Sequence, residues 1–409
     1  MDRKRIEAYA KLVIETGLNL QKGQTLVINS SIETADFARL CVSEAYARGC
    51  KEVIVKWTDN YVSRERYLKA DDSVFDSVPS WQSDFYNYFA DERCGWLRIE
   101  SEDPEALAGI DPDRIARGAK AFSNVTKNFR NKQMTSYFPW CIVAVPGKAW
   151  AKKVFPELGE EEAVEALWEA ILSCMRVWEN SDPVEELKKH ISVLKDRVEK
   201  LNSLNLKYLV YKNSLGTDLT VELPEGHYWE GGDEKDSKGV FFCANMPTEE
   251  IFTVPKRDGV NGIVYSTKPL SINGSIADNF VFTFKDGKIV DIKAEKGLEL
   301  LKTETSIDDG APYLGEVALV PYDSPISNSG ILFYNTLFDE NASCHLAFGD
   351  AYPLISGGKD MDEDQLRKAG VNTSFTHTDF MVGSPDLSIN GITKTGEEIP
   401  IFIDGNFAF

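Results

Sequence analysis

The chain has 409 residues, of which 43% are hydrophobic and 11% aromatic, enough for two packed domains. Its 45 basic and 65 acidic residues leave a formal net charge of -20, which repels phosphate backbones and anionic lipids. We therefore expect no nucleic-acid or membrane partner, and no run of about 18 apolar residues predicts a membrane span.

The N-terminus and the cysteines indicate the compartment. The chain enters an amphipathic helical pattern at Ile6 without an apolar signal segment, so we expect a cytoplasmic protein. The seven cysteines are odd in number, show no CxxC spacing and lie mostly in apolar segments. This pattern favours reduced core thiols over the alternatives, a zinc cluster or a disulfide framework.

Alternating helical and strand patterns predict a mostly parallel sheet in the first half of the chain. A helical pattern over residues 3–18 precedes a strand pattern at 25–29, and the alternation continues to a strand at 141–145. Between them the sequence predicts helices at 34–49, 62–69, 74–89 and 113–130 and strands at 52–57 and 95–99. Such sheets often bind nucleotides, but neither GxGxxG nor GxxxxGK[ST] occurs. A scaffolding or dimer-forming role is therefore the better interpretation.

The character of the chain changes near residue 205. Two consecutive helical patterns, 160–179 and 183–201, end the alternation, and strand and turn signals follow. Among these, Asp286-Gly287 between two alternating apolar runs is a strong hairpin signal. We predict an α/β N-terminal domain, residues 1–205, and a β-rich (α+β) C-terminal domain, residues 206–409.

Two of the four histidines lie close to carboxylates near the C-terminus. Glu340 precedes His345 by five residues, and His377 and Asp379 project from one face if 376–382 is a strand. Imidazole beside carboxylate is a ligand pair for divalent metals. Taken singly, each pair is more often a satisfied histidine beside a surface carboxylate, so a metal site requires carboxylates from elsewhere.

Two further glutamates, Glu250 and Glu316, stand in apolar, strand-like runs of the same domain. Glutamate is rarely buried there unless it is paired or bound to metal. For Glu316, which follows Gly315, an exposed edge strand is the equal alternative. Glu249 and Glu250 would face opposite sides of a strand, so at most one of them enters a site.

Together these residues supply four carboxylates and two imidazoles. They are Glu250, Glu316, Glu340, His345, His377 and Asp379. The set carries more negative charge than one metal needs and suits two divalent ions that share a bridging carboxylate and a bridging water. Without a cysteine it favours Zn, Co or Mn, and Mg is also compatible. HExxH, GxSxG and a papain-like Cys/His pair are absent, which excludes zincins and serine or cysteine hydrolases.

Several motifs along the chain are specific in combination. They are Asn180-Ser181-Asp182-Pro183, Gly216-Thr217-Asp218-Leu219, Trp229-Glu230-Gly231-Gly232, the stretch 245–250, Gly315-Glu316-Val317, the stretch 340–352 and His377-Thr378-Asp379. On these motifs the chain resembles, over essentially its whole length, the thermophilic-aminopeptidase family of metallopeptidases, of the aminopeptidase T and aminopeptidase S type.

The resemblance implies an α/β N-terminal domain, a β-rich catalytic C-terminal domain and a homodimer around an enclosed cavity. It also implies two divalent ions bound by the six residues above, with Tyr352 at the site. The implied activity is that of a metalloaminopeptidase, in which a metal-bridged water attacks the first peptide carbonyl of a peptide with a free N-terminus. We predict that Glu316 bridges the ions and that Tyr352 donates a hydrogen bond to the developing oxyanion.

A rival interpretation is a non-catalytic metal- or peptide-binding protein in which the same ligands hold a structural ion. A structural site is usually closed, four-coordinate and complete with one metal, so the number of ions per chain separates the two. The other histidines, His190 and His227, are predicted to be bystanders.

Overall fold

Helices and strands alternate through the first half of the chain. The structure is a computed structural model that describes residues 2–101, 103–272 and 275–409. Its helices are α1 (Arg3–Leu12), α2 (Ala35–Ala47), α3 (Asn60–Lys69), α4 (Ser80–Asp91), α5 (Pro112–Val125), α6 (Lys127–Met134), α7 (Lys148–Val154), α8 (Glu160–Cys174), α9 (Pro183–Ser203), α10 (Leu298–Glu304), α11 (Pro325–Asn328), α12 (Thr336–Asp339) and α13 (Glu363–Lys368). A π-helical turn, Val13–Gly17, extends α1, and 3-10 turns occupy Ile32–Thr34, Asp72–Phe75, Glu340–Ala342 and Gly358–Asp360.

The strands are short and numerous in the second half. The first ten are β1 (Thr25–Ser31), β2 (Glu52–Thr58), β3 (Gly95–Glu100), β4 (Trp140–Ala144), β5 (Leu206–Lys212), β6 (Asp218–Glu222), β7 (Glu230–Gly231), β8 (Glu234–Lys235), β9 (Phe241–Phe242) and β10 (Asn245–Met246). The others are β11 (Ile251–Thr253), β12 (Val260–Tyr265), β13 (Leu270–Ile272), β14 (Ser275–Lys285), β15 (Lys288–Lys296), β16 (Leu314–Leu319), β17 (His345–Gly349), β18 (His377–Met381), β19 (Ser388–Thr393), β20 (Glu398–Ile403) and β21 (Asn406–Phe407).

The chain divides into two compact units. Unit 1 comprises Met1–His190 and Asp233–Thr248, and unit 2 comprises Ile191–Gly232 and Glu249–Phe409. The sequence predicts a boundary near residue 205 with everything beyond it in the second domain. Unit 2 instead begins at Ile191, within α9, and residues 233–248 return to unit 1. These residues return because β10 pairs in parallel with β4. A two-residue strand carries no periodicity from which this pairing can be predicted.

The sheet of unit 1 is parallel, in the order β10-β4-β3-β1-β2. In its register Leu26 of β1 lies opposite Val53 of β2 and Gly95 of β3. Leu26, Val27 and Ile28 are fully buried, as expected for a parallel strand with covered faces. Helices connect β1 to β2, β2 to β3 and β3 to β4, because parallel neighbours need a crossover connection. The predicted α/β class is confirmed.

Unit 2 contains two larger antiparallel sheets that pack face to face. One has the order β13-β14-β12-β6-β5-β19-β20-β21 with β15 beside β14, and the other has the order β18-β17-β16-β11-β7. Phe282 of β14 meets the second sheet, with its ring centroid 5.1 Å from that of Phe380 and 5.9 Å from that of Phe348. The main core of unit 2 thus lies between the sheets, and the predicted β-rich second half is confirmed.

The predicted hairpin joins β14 and β15. Asp286 and Gly287 both have positive φ, +50° and +83°, which is the backbone of a two-residue turn matched to strand twist. The strands are longer than the predicted 280–284 and 288–292, because the ladder extends to the pair Asp278 and Lys296.

Three predicted helices have different bounds. The helix predicted at 74–89 begins only at Ser80, because Pro79 disfavours a helical conformation in the residue before it. The helix predicted at 113–130 is divided at Thr126, whose hydroxyl donates to the carbonyl of Phe122 at 2.8 Å. The helix predicted to reach 179 ends at Cys174, and Arg176 adopts a φ of +57°.

All seven cysteines are free and buried, which confirms the predicted reduced core thiols. Within the described ranges, no helix is both long enough and apolar enough to cross a membrane.

Candidate metal centre

Three neighbouring strands of the smaller sheet of unit 2 carry candidate ligands on one face. In the ladder Glu316 of β16 lies opposite Ala347 of β17, and Ala347 lies opposite Asp379 of β18. Residues in register share a face, as do residues two apart on one strand, so His345 and His377 point the same way. The intervening Leu346, Phe348 and Phe380 are fully buried and belong to the core cluster between the sheets. Strand alternation therefore separates the ligand face from the core face.

Gly315 allows the backbone of β16 to approach Asp350 closely at the register shift just before Glu316. The register of β16 against β17 shifts between Leu314 and Glu316, and a Cβ at Gly315 would lie 2.1 Å from the carbonyl oxygen of Asp350. No other residue type fits this approach without moving the backbone. All six residues of β16 are buried, so the alternative of an exposed edge strand is wrong.

The side chains form two overlapping groups that share Glu316. In one, Nε2 of His345 lies 3.1 Å from Oε2 of Glu250 and 3.6 Å from Oε1 of Glu316. In the other, Nε2 of His377 lies 3.7 Å from Oε2 of Glu316 and 3.3 Å from Oδ1 of Asp379. Within each group, one potential ligand atom per residue lies within 4.8 Å of the others. Glu316 therefore offers one oxygen to each group.

Backbone carbonyls fix the orientation of both imidazoles. Nδ1 of His345 lies 3.2 Å from the carbonyl oxygen of Ser343, and Nδ1 of His377 lies 2.7 Å from that of Asp350. A carbonyl only accepts, so each Nδ1 carries the proton and donates it. In the neutral tautomer the lone pair is then on Nε2, which faces the carboxylates. Metal-ligating histidines almost always have an arrangement of this kind.

Burial and mutual charge perturb the pKa values of these groups. Burial opposes a charge on His345, but its bonds to Glu250 and Glu316 outweigh this and raise its pKa well above the ordinary value. The pKa of His377 is likewise raised against the effect of burial, chiefly by Asp379. Burial raises the pKa of Glu316, partly offset by the bond with His345. The pKa of Asp379 is lowered, because the adjacent His377 outweighs burial.

Glu340 lies near the cluster but outside both groups. It occupies the 3-10 turn before β17 and is 9% exposed. Burial, followed by the charges of Asp379 and Glu250, raises its pKa well above the ordinary value. Five of the six predicted ligands therefore meet in two groups. The sixth, Glu340, interacts with them electrostatically.

Tyr352 is half-buried in a satellite apolar cluster of unit 2. Its ring centroid lies 5.6 Å from that of Phe252, at an interplanar angle of 51°. Its role as a hydrogen-bond donor stays a prediction.

The two remaining histidines belong to neither ligand group, and each lies beside a backbone carbonyl. Nε2 of His190 lies 2.7 Å from the carbonyl oxygen of Thr248, and Nδ1 of His227 lies 2.9 Å from that of Pro224. Burial lowers the pKa of His227.

The donor set fits a divalent cation. Side chains of the two groups are between 1% and 30% exposed, and the four carboxylates, if all were ionised, would leave a net negative charge even with both imidazoles protonated. Unpaired charge of this kind is costly in a buried site unless a cation compensates it. Oxygen and imidazole donors without thiolates suit Zn, Co or Mn.

The groups that support the ligands leave little trace in the sequence. Asn341 donates to Glu340 Oε1 at 3.4 Å and accepts from the Glu249 amide at 2.7 Å. The carbonyls of Ser343 and Asp350 orient the histidines, and carbonyls leave no mark in a side-chain pattern. Of these supporting groups, only Asn341 is visible in the sequence, as an amide side chain between the predicted ligands Glu340 and His345.

The fold and the cluster together define an α/β metalloprotein class with a carboxylate–histidine site on a β-rich unit. A sequence model of the thermophilic metalloprotease (M29) family matches residues 2–407, so the chain belongs to that family, which implies a divalent metal. The predicted family is thereby confirmed.

The relatives are named aminopeptidases. Aminopeptidase AmpS of Bacillus subtilis (strain 168) is 47% identical over 407 residues, which cover 99% of both chains. Aminopeptidase T of Thermus aquaticus is 38% identical over 404 residues, which cover 99% of this chain and 98% of that one. The solved structure of wild-type AmpT from Thermus thermophilus superposes with a TM-score of 0.92 at 36% identity and covers all of both chains.

Proposed function

We propose that this metalloaminopeptidase uses two divalent ions to release N-terminal residues from peptides. The observation that carries the proposal is the pair of ligand groups that share Glu316, each with an imidazole whose Nε2 is turned inward by a backbone carbonyl. The aminopeptidase names of relatives that match over their whole length support the peptide substrate.

The two ligand groups assign the candidate ligands to two ions. Glu250 and His345 would hold one, His377 and Asp379 the other, and Glu316 would give one oxygen to each. Glu340 would complete the set from the adjoining turn. When bound, the divalent ions polarise the scissile carbonyl and lower the pKa of a coordinated water.

Substrate attraction, hydrogen bonding to the oxyanion and orientation of the histidines would be provided by the protein itself. The strongly acidic chain, with a formal net charge of -20, favours the approach of the ammonium of a free peptide N-terminus. The ring packing of Tyr352 against Phe252 limits its motion, so that its phenol can donate to a developing oxyanion. The backbone acceptors of His345 and His377 keep both rings in one tautomer throughout the cycle.

The test is a matched pair of peptides. The protein is stripped with a chelator, reloaded with Co, Zn or Mn, and given a leucyl peptide or its N-acetylated form, and the products are identified by mass spectrometry. We expect stepwise loss of single residues from the free peptide only, and only with metal. Comparable cleavage of the acetylated peptide, or cuts inside the chain, would contradict the proposal.

Metal counting separates the enzyme from the rival structural site. We expect two exchangeable ions per chain by elemental analysis, because two ligand groups share one carboxylate. One tightly held ion together with no peptide cleavage would favour a structural role.

Assembly and location complete the proposal. We propose a cytoplasmic homodimer, with unit 1 as scaffold, from the family resemblance and from free, buried cysteines that suit a reducing compartment. A weak support for the dimer is the pair of exposed aromatic side chains on one face of α4. Trp81 and Tyr88 stand seven residues apart there and are 67% and 59% exposed. Light scattering should give twice the 45.8 kDa chain mass at micromolar concentration; the chain mass alone would contradict a dimer.

A further inference from the structure

Asn341 connects the two candidate ligand segments that lie outside the ladder of β16, β17 and β18. It is fully buried in the 3-10 turn that begins with Glu340. Its Oδ1 accepts a hydrogen bond from the backbone N–H of Glu249 at 2.7 Å. Its Nδ2 donates to the carbonyl oxygen of Leu337 at 3.0 Å and to Oε1 of Glu340 at 3.4 Å. One side chain thus contacts the residue before Glu250 and the carboxylate of Glu340.

The orientation of this amide follows from its partners. A backbone N–H can only donate, so the atom that faces Glu249 must be the amide oxygen. The amide nitrogen then faces two acceptors, a carbonyl and a carboxylate, which use both of its protons. The opposite orientation would place donor against donor and acceptor against acceptor. Each polar group of the side chain therefore has a partner in one orientation only.

The segment that carries Glu250 depends on this contact for its position. Residues 247–250 lie between β10 and β11 and form no strand ladder. The amide of Glu249, which a ladder would otherwise engage, donates to Asn341 instead. Glu340 likewise occupies a short turn and not a strand. The other four candidate ligands are held by the sheet, so these two need a separate fixing element.

We propose that Asn341 is a positioning residue that holds the carboxylates of Glu250 and Glu340 in fixed relation for metal binding; this rests on the proposed function. Asn341 would not itself bind metal, substrate or water. Aspartate in its place would bring a further carboxylate against Glu340, and leucine would fill the volume without any of the three bonds. Groups that hydrogen-bond metal ligands typically change metal affinity or activity by about 10–100-fold when mutated.

The test compares metal binding by the full chain and by Asn341→Ala. Calorimetric titration of the chelator-stripped proteins with Co²⁺ should show a Kd about 10–100-fold higher for the variant. The visible absorption spectrum of bound Co²⁺ should also change, because it reports the geometry of the ligands. Both readouts are independent of peptide cleavage, and a loss of fold stability alone would not alter the spectrum of the folded, loaded protein.

Asn372 provides a matched control in the same unit. It is also fully buried, accepts from Arg257 Nε at 3.0 Å, and donates to the carbonyl oxygens of Gly310 at 2.9 Å and Gly349 at 2.6 Å. Asn372→Ala loses the same number of bonds to groups that are not candidate ligands. It should lower the melting temperature as Asn341→Ala does and change the Co²⁺ Kd and spectrum much less than Asn341→Ala, because none of its three bonds reaches a ligand side chain or the amide next to Glu250.

The outcomes distinguish this inference from the function on which it rests. If the unsubstituted protein binds Co²⁺ and Asn341→Ala binds it with the same Kd and spectrum, Asn341 does not position the ligands. An equal change in Asn372→Ala would also overturn the inference, because the effect would then be general. If the unsubstituted protein binds no ion, the proposed function fails first. Should Asn341→Ala not fold, Asn341→Ser, which keeps a polar group but cannot span both partners, is subject to the same comparison.

Discussion

Glu316 is the residue on which both ligand groups depend. Its two carboxylate oxygens face different histidines, at 3.6 Å and 3.7 Å, and its side chain is 9% exposed. Glu316→Gln keeps the size but replaces a charged oxygen with an amide nitrogen, so neither group stays complete. Metal ions contribute several kcal/mol of transition-state stabilisation, and about 4 kcal/mol corresponds to roughly a thousandfold fall in kcat/KM. We expect at least that loss, together with loss of bound metal by elemental analysis.

Glu304 is the control for this substitution. It is another buried glutamate of unit 2, 8% exposed, at the end of α10 and outside both ligand groups. Glu304→Gln should retain its metal and its turnover. Near-normal activity and metal content in Glu316→Gln would show that the assigned site is wrong.

The ring of Tyr352 packs against Phe252, whereas its hydroxyl is the predicted hydrogen-bond donor, so one substitution can separate the two roles. Tyr352→Phe keeps the packing against Phe252 and removes only the phenol. Loss of one oxyanion donor typically costs about 10²–10³ in kcat, and we expect a fall of that order with KM and the melting temperature unchanged. Tyr208→Phe, on β5 in the other sheet, should leave steady-state kinetics unaltered. An unchanged kcat in Tyr352→Phe would reduce Tyr352 to a packing residue.

Contacts between side chains of one strand can be predicted from the sequence, whereas contacts between distant segments cannot. Strand alternation was enough to place His377 beside Asp379, and Nε2 and Oδ1 lie 3.3 Å apart. Glu250, Glu316 and His345 come from three distant segments that meet only through sheet pairing, so their convergence could be inferred from the family resemblance but not from local spacing.

Two glycines of unit 2 show how individual turns constrain the sheet. Gly287 and Gly396 have nearly the same backbone, with φ of +83° and +85°. A Cβ at Gly287 would lie 1.8 Å from the carbonyl oxygen of Arg257, whereas nothing lies within 4 Å of one at Gly396. An L side chain in this conformation costs about 1–2 kcal/mol, and forcing atoms into a packed site adds roughly 1–3 kcal/mol.

We therefore expect Gly396→Ala to lower the free energy of unfolding by the conformational cost alone and Gly287→Ala to lower it by both costs. Urea unfolding of the two variants, monitored by a probe in unit 2, measures the difference. Equal midpoints would show that the neighbouring loop at Arg257 and Asp258 moves to accommodate the added methyl group and that the turn is not rigid.

Periodicity predicted the elements well where they are long and poorly where they are short. The hairpin of β14 and β15 and the alternation of β1 to β4 with helices follow from patterns of five or more residues. The seven-residue helix α7 and the two-residue strands β7 to β10 are too short to show a period, and β10 decides to which unit residues 233–248 belong. Strand order also depends on pairing between distant segments, which one sequence does not encode locally.

The two units of the molecule should respond differently to metal. Both ligand groups found among the described residues lie in unit 2, on β16, β17, β18 and the residue before β11. Without metal, four carboxylates approach one another there, and their interaction with His345 and His377 outweighs burial and raises the pKa values of both imidazoles. Bound divalent ions would remove the repulsion among the carboxylates, while unit 1 gains no such contact.

Metal should therefore raise the stability of unit 2 selectively. An ion that binds only the folded state adds about 2.7 kcal/mol at 100 times its Kd and about 4.1 kcal/mol at 1,000 times its Kd. Hydrogen exchange followed by mass spectrometry resolves this by segment. On addition of Co²⁺ or Zn²⁺ to the stripped protein, amides of β16 to β18 should exchange more slowly by the factor that matches this free energy, and those of β1 to β4 should be little changed. Chelation should reverse the effect, and Glu316→Gln should abolish it. Equal protection of both sheets would mean that the ions act on the whole chain, and no protection of either would mean that the cluster does not bind them.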